Sequence, residues 1–299
     1  MNMSIQDFLQ HLTNGISLGS LYALISIGYT MVYGILRLIN FAHGDIFMLG
    51  AYITYYGLVF TSIPWWLVFI LSAVITGLLG VLLERAAYKP LRNSPRITVL
   101  ISAIGASFFL ENLGTVVFGG RPKAFPTPSI FNSVVRIGGV SIVGVTFIIP
   151  AITIVLLILL NYFTKRTKTG MAMRALSKDY EAASLMGIDI NKIISVTFLI
   201  GSFLAAVGGI MWGTKFPQLM PLMGMMPGIK CFIAAVIGGI GNITGAVIGG
   251  FILGLGEIMI VAFLPGLTGY RDAFSFVFLI IILLLKPTGL MGENMTEKV

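Results

Sequence analysis

Few residues in this chain are equipped for chemistry, and most of those sit in apolar surroundings. Asp45, Glu111 and Glu257 are carboxylates within or beside hydrophobic runs; Asn40 and His43 precede Asp45 in NFAHGDIF, and Asn112 follows Glu111. A charge at bilayer depth costs about 2.5–3.5 kcal/mol on insertion scales, so each needs a partner, a wet cavity or an escape to the interface. Two uses fit this set. The residues line or gate a path through a membrane, or they cap helices and bond neighbouring helices. For NFAHGDIF the second use is a helix-start cap and an ion pair with nearby Arg37, because Asn and Asp favour such positions. Glu257 is flanked by GLG and IMIVAF and has no comparable escape.

Enzymatic chemistry finds little support. His11 and His43 are far apart and no Cys or carboxylate cluster accompanies them, which argues against zinc. No Gly-x-x-x-x-Gly-Lys-Ser/Thr loop occurs, so ATP is not bound by that route. No Ser, His, Asp arrangement argues for a membrane hydrolase. No cofactor is expected. Cys231 is the single cysteine and excludes a disulfide within the chain.

The elements that must position these residues follow from composition. Of 299 residues, 57% are hydrophobic and 10% charged, against about 25% charged in soluble domains. Runs such as IIPAITIVLLILL fit helices that cross a hydrocarbon core with every backbone group paired internally. The alternation needed by a membrane barrel is absent. The expectation is an all-α, polytopic transmembrane helical bundle, a single transmembrane domain over 1–299 with about eight spanning segments. They are placed near 14–36, 38–60, 65–83, 97–118, 142–163, 193–213, 229–262 and 273–286. MNMSIQDFLQHLTNG lacks the marks of a cleaved signal, so the first segment is expected to be retained. The seventh is too long for one crossing, and GGIGNITGAVIGG cuts it, which predicts a broken or re-entrant segment. Gly241, Gly245 and Gly249 recur every fourth residue and predict a helix-packing seam.

Two loops hold most of the basic residues, ERAAYKPLRNSPR (84–96) and 164–192. The bias of Lys and Arg toward the cytoplasm puts both inside, the N-terminus outside and the 119–141 loop outside. The C-terminal KPTGLMGENMTEKV ends inside if the seventh segment re-enters. The formal charge of +8 is thereby a topology signal, and nucleic acid is not an expected partner. Within 164–192, Met173, Leu176, Tyr180, Ala183 and Gly187 recur at spacings of three and four, while Arg174, Lys178 and Glu181 take the other side. A short amphipathic cytoplasmic helix is predicted, ended by Gly187 and followed by a helix capped by Asp189. Leu185 falls among the charges. It suits a protein contact, although a helix lying on lipid headgroups is the other reading.

EAASLMG (181–187) resembles the EAA loop of ABC importer permeases, Glu-Ala-Ala separated by three residues from a Gly, without the Ile and Leu-Pro that continue that pattern. NGISLGSLYALISIGYTMVYGILRLINFAHGDIFMLGAY, ERAAYKPLR, LISAIGASFFLEN, AAVIGGIGNITGAVIGG and KPTGLMG resemble, in order from about 12 to 292, the LivH-type permease of branched-chain amino acid ABC importers. The resemblance implies that Asp179, Tyr180, Glu181, Ala182, Ala183 and Gly187 form an ATPase-coupling loop. It also implies an inner-membrane location, a second permease subunit, two cytoplasmic ATP-binding subunits, a periplasmic substrate-binding protein and a small-molecule substrate such as Leu, Ile or Val. Urea, short amides or other amino acids are alternative cargoes, and a stand-alone secondary transporter is the rival class.

Overall fold

The computed structural model describes residues 4–137 and 140–292. The end of the tail, 293–299, for which an inside location is expected, lies outside the described residues, as do 1–3 at the other terminus. The long helices are α1 (Ile5–Leu36), α2 (His43–Phe60), α3 (Trp65–Leu83) and α4 (Arg96–Phe118). A connection follows, with β1 (Lys123–Ala124), α5 (Ser129–Asn132) and the hairpin β2 (Val134–Ile137) and β3 (Val140–Val143). Then come α6 (Gly144–Arg166), α7 (Lys168–Lys178), α8 (Tyr180–Leu185) and α9 (Ile190–Lys215). The chain closes with β4 (Gln218–Leu219), α10 (Met225–Gly238), α11 (Ile243–Phe263) and α12 (Arg271–Leu285). Among the described residues seven helical stretches are long and apolar enough to cross a membrane. The chain is a polytopic helical bundle, with α2 connecting two of those spans.

Two boundaries differ from expectation, each for a local reason. The first helix begins at Ile5, before residue 14, because Ser4 and Asp7 make a reciprocal capping box: Ser4 Oγ accepts from the Asp7 amide at 3.1 Å while the Ser4 amide donates to Asp7 Oδ2 at 3.3 Å. The second helix begins at His43, after residue 38. Arg37 adopts a left-handed conformation (φ 53°), so α1 ends there and residues 37–42 turn back into the bundle, carrying the buried Asn40 with them.

The long seventh segment is broken. Gly239 (φ 104°) and Gly241 (φ 94°) take conformations that side chains rarely adopt, and Asn242 restarts the helix by accepting the Gly245 amide at 3.0 Å. Upstream of α10 the chain is extended, and β4 pairs antiparallel with β1 (Lys123 opposite Leu219). Downstream of α12 the tail returns to the break, where the Leu290 and Met291 amides donate to the carbonyls of Ile237 and Gly238 at 2.9 Å. Gly241 packs against Gly34 near the C-terminal end of α1. A helix of 32 residues is about 48 Å long at 1.5 Å per residue. Residue 4 and residue 292 therefore lie on opposite faces of the bundle.

The central pillar is α1, buried at Gly15 and then without interruption from Ser17 to Val32. Lipid-like surroundings supply no hydrophobic drive between helices, so close approach depends on small residues. Gly250 packs against the backbone of Ala23 and Gly254 against that of Gly19, which zips α11 to α1. On the other side of α11, Gly245 and Gly249 face the carbonyls of Gly238 and Ala234 on α10. Gly241 stands outside the helix, in the turn, so the spacing of four runs on past the packed face. The outward sides of α3, α4 and α12 stay apolar and exposed, as at Leu82, Phe109 and Leu284.

Candidate functional site

The polar segment after α6 is two helices rather than one. Asp179 is extended (φ −150°, ψ 113°) and its Oδ1 accepts from the Ala182 amide at 2.9 Å. Its carboxylate offers the backbone an alternative to helical bonding, which ends α7 and starts α8. The other end of α8 closes as a Schellman turn: the Gly187 amide donates to Ser184 O at 3.0 Å and the Ile188 amide to Ala183 O at 3.2 Å, with Gly187 at φ 76°. Asp189 then caps α9 by accepting from the Lys192 amide at 3.1 Å, in agreement with its predicted role.

The kink rearranges the predicted face. Met173, Leu176 and Ala183 are buried, in one cluster with Met31 and Val32 of α1 and Ile193 and Ile194 of α9. Tyr180, expected beside them, is exposed, and Gly187 has open space around it. Glu181 and Ala182 also face outward. Leu185 and Met186 are 88% and 82% exposed, two apolar side chains on a rigid, doubly capped turn. The mount continues into the 84–96 loop, where a π-helical turn spans Glu84–Tyr88. Glu84 is fully buried, pairs with Arg92 and accepts from Ser195 Oγ of α9 at 2.8 Å, while Arg92 Nη1 donates to Asn191 Oδ1 at 2.8 Å. Tyr88 OH donates to Asn40 Oδ1 at 2.8 Å, which connects this loop to the turn before α2.

Asn40, His43 and Asp45 are all nearly inaccessible, and each is held by a different element. His43 sits where Gly28 leaves α1 without a side chain, and its Nε2 lies 3.2 Å from Ile25 O; a carbonyl only accepts, so Nε2 carries the proton. Asp45 Oδ2 accepts from Ser107 Oγ of α4 at 2.6 Å. Glu111 lies one turn along from Ser107 and is partly buried, whereas Asn112 is exposed and bonds to Phe108 O at 2.7 Å. The deepest charge is elsewhere. Glu257 is fully buried and takes Lys230 Nζ (2.8 Å), Arg271 Nε (2.7 Å), Ser275 Oγ (2.8 Å) and Tyr22 OH (3.1 Å). Lys230 also reaches Asp272 at 2.6 Å, so two acids and two bases tie α1, α10, α11 and α12 together. The partners of Glu257 are thus distinct from those of Asn40, His43 and Asp45, and they saturate it.

The sequence matches the family model for the permease component of branched-chain amino acid transport systems over residues 11–283. The chain belongs to this family. It is 44% identical to the high-affinity branched-chain amino acid transport system permease protein LivH of Escherichia coli (strain K12), with 98% of each chain covered. Identity to BraD, the corresponding high-affinity permease protein of Pseudomonas aeruginosa, is 41% with 99% of each covered. At 24% identity, the ribose import permease protein RbsC of Haemophilus influenzae aligns with 66% of this chain and 59% of its own length. PsaBC from Streptococcus pneumoniae, solved in complex with Fab, shares the fold alone: TM-score 0.51 at 14% identity, covering 93% of this chain and 92% of that one.

The permease is thus a multi-pass component of a transport system, and the family it belongs to is a transporter family. Sequence reasoning missed Lys230, Arg271, Tyr22 and Ser275 as the partners of Glu257, and Glu84 as the anchor of the 84–96 loop. Lys230 lies in an otherwise apolar run, MMPGIKCFIAAVIG, and that lone cation was the available signal. The letters Gly15-Ile16-Ser17-Leu18-Gly19 match a hydrolase elbow, yet they lie inside α1 and not at a strand-to-helix turn.

Proposed function

We propose that this permease carries branched-chain amino acids (Leu, Ile, Val) inward across a bacterial inner membrane, as one of two permease subunits driven by two cytoplasmic ATP-binding subunits and fed by a periplasmic binding protein. The cargo is read from the family and from the high-affinity relatives. The observation that supports the coupling role is the shape of α8: its inward side packs on α7 and joins, through Ala183, the apolar cluster that holds the ends of α1 and α9, and its outward side offers Tyr180, Glu181, Leu185 and Met186. A push on such a turn is passed to packed helices as a rigid shift, because tightly packed interfaces switch between discrete arrangements and do not deform continuously.

In this reading α7 and α8, the basic loops and residue 292 face the cytoplasm, and residue 4 and the 119–141 connection face outward. Asp179 to Gly187 form the ATPase-coupling turn. The Asn40–His43–Asp45 group, with Glu111 and Asn112 on the flanking helix, is assigned to gating the path. The Glu257 cluster holds the helices that border the path.

The test pairs leucine uptake with capture of the ATPase subunits by the tagged permease, for Glu181→Lys, Leu185→Glu and Gly187→Trp. Glu181 and Leu185 project into open surroundings, and a side chain at Gly187, although strained at φ 76°, meets no neighbour within 4 Å, so membrane insertion should be retained. Uptake and ATPase capture should both fall. Normal values for both in all three variants would remove the coupling role.

A further inference from the structure

On the face away from α7 and α8 there is an open cavity of about 660 Å³, within the range of sites that hold small solutes. None of its lining residues is a predicted site residue. Its apolar lining comes from Leu18 of α1, Phe125 of the connection, Val145 of α6 and Ile258 of α11. The same lining carries two cations, Lys215 at the end of α9 and Arg271 at the start of α12, and the neutral side chains of Asn14 and Thr146. The lining contains no Asp or Glu.

The charge balance of that lining is uneven. Glu257, Asp272, Lys230 and Arg271 offset one another, two acids against two bases. Lys215 lies outside this set. Its Nζ donates to Ser17 Oγ at 2.6 Å, and among the described residues no carboxylate lies within ion-pair distance of it. An ammonium has three donors, so two remain for a ligand. Arg271 commits Nε to Glu257 at 2.7 Å, yet its side chain is 31% exposed, and it borders the same space. A partly buried, uncompensated cation that shares a cavity with an arginine and with apolar side chains has the chemistry to take a carboxylate whose other end is a hydrocarbon.

We propose that this cavity is the intake site of the permease, where Lys215, supported by Arg271, receives the α-carboxylate of the incoming amino acid and the apolar lining of Leu18, Phe125, Val145 and Ile258 receives its aliphatic side chain. The inference rests on the amino-acid transport reading above and adds the residues that would hold the cargo. Ser17 fixes the Lys215 ammonium from α1. The neutral oxygens of the lining leave the α-ammonium group partly hydrated, so the site selects the carboxylate and the apolar chain.

The experiment uses the assembled transporter in proteoliposomes, with saturating leucine-loaded binding protein supplied on the face that carries the cavity. Lys215→Gln should lower maximal leucine uptake by about tenfold, the order expected for one charge-assisted hydrogen bond, with ATPase subunit capture retained; Lys215→Arg should restore most of it. Leucine should also protect the thiol of the Lys215→Cys variant from a methanethiosulfonate reagent, and attachment of an aminoethyl group there should recover uptake where a methyl group does not. Should Lys215→Gln fail to assemble, Asn14→Asp decides: this isosteric change puts a carboxylate one turn from Ser17, where it competes for Lys215 and should lower uptake several-fold. Wild-type rates in Lys215→Gln, or in Asn14→Asp where Lys215→Gln does not assemble, while the unaltered transporter moves leucine, would overturn the intake site alone. Absence of leucine uptake by the unaltered transporter would overturn the transport reading beneath it.

Discussion

Replacing Glu257 by Gln tests the buried cluster most directly. The change keeps the shape and removes one negative charge from a position with no solvent access. Lys230, whose side chain is 6% exposed, would keep only Asp272, whose own side chain is 54% exposed. Breaking a buried pair by deleting one partner costs about 3–5 kcal/mol, because the remaining charge is left uncompensated. Arg271 can turn toward the cavity and be hydrated, which places the expected loss near the lower end, about 3 kcal/mol. The double variant Glu257→Leu with Lys230→Met removes both charges, frees Asp272 to face water and should recover about 2 kcal/mol relative to the sum of the single changes. SDS titration of the purified permease, followed by the loss of helical signal, gives the unfolding free energies. A loss under about 1 kcal/mol for Glu257→Gln, or strict additivity in the double variant, would refute the assignment of this cluster as the lock between α1, α10, α11 and α12.

Two further outcomes follow from local geometry. A side chain at Gly245 would collide with the Gly238 backbone, so Gly245→Leu should cost at least the roughly 1–3 kcal/mol typical of overpacking and lower the yield of folded permease in size-exclusion chromatography before it alters which amino acid is carried. Asp179→Ala should fray α8 by removing its cap, a loss of about 1 kcal/mol; leucine uptake should fall while thermal stability of the bundle changes little, and Asp179→Asn should retain both.

The sequence was explicit wherever a rule is local. Apolar runs set the spans, because an unpaired backbone group is costly in hydrocarbon. Glycines that favour a left-handed backbone marked the break at Gly239 and Gly241, and the capping preferences of Asp189 and the turn at Gly187 are read from neighbours a few residues away. The same rules misplaced Tyr180. Spacing assumes one continuous helix, and the Asp179 side chain bonded to the Ala182 amide interrupts it.

What required the tertiary structure was every pairing between distant segments. Helices such as α1 and α11 are apolar nearly all round, so no amphipathic stripe announces which side faces which neighbour. Gly254 meeting Gly19, Tyr88 meeting Asn40, and Glu257 drawing Lys230, Arg271 and Tyr22 to one point depend on how the helices are arranged about α1. The sequence by itself determined a membrane bundle with a capped polar turn on its basic face. Only packing decided that Glu257 is saturated by bases and hydroxyls while Lys215 has no counter-ion among the described residues, because the energy of a buried charge is set by what surrounds it in space and not by its neighbours along the chain.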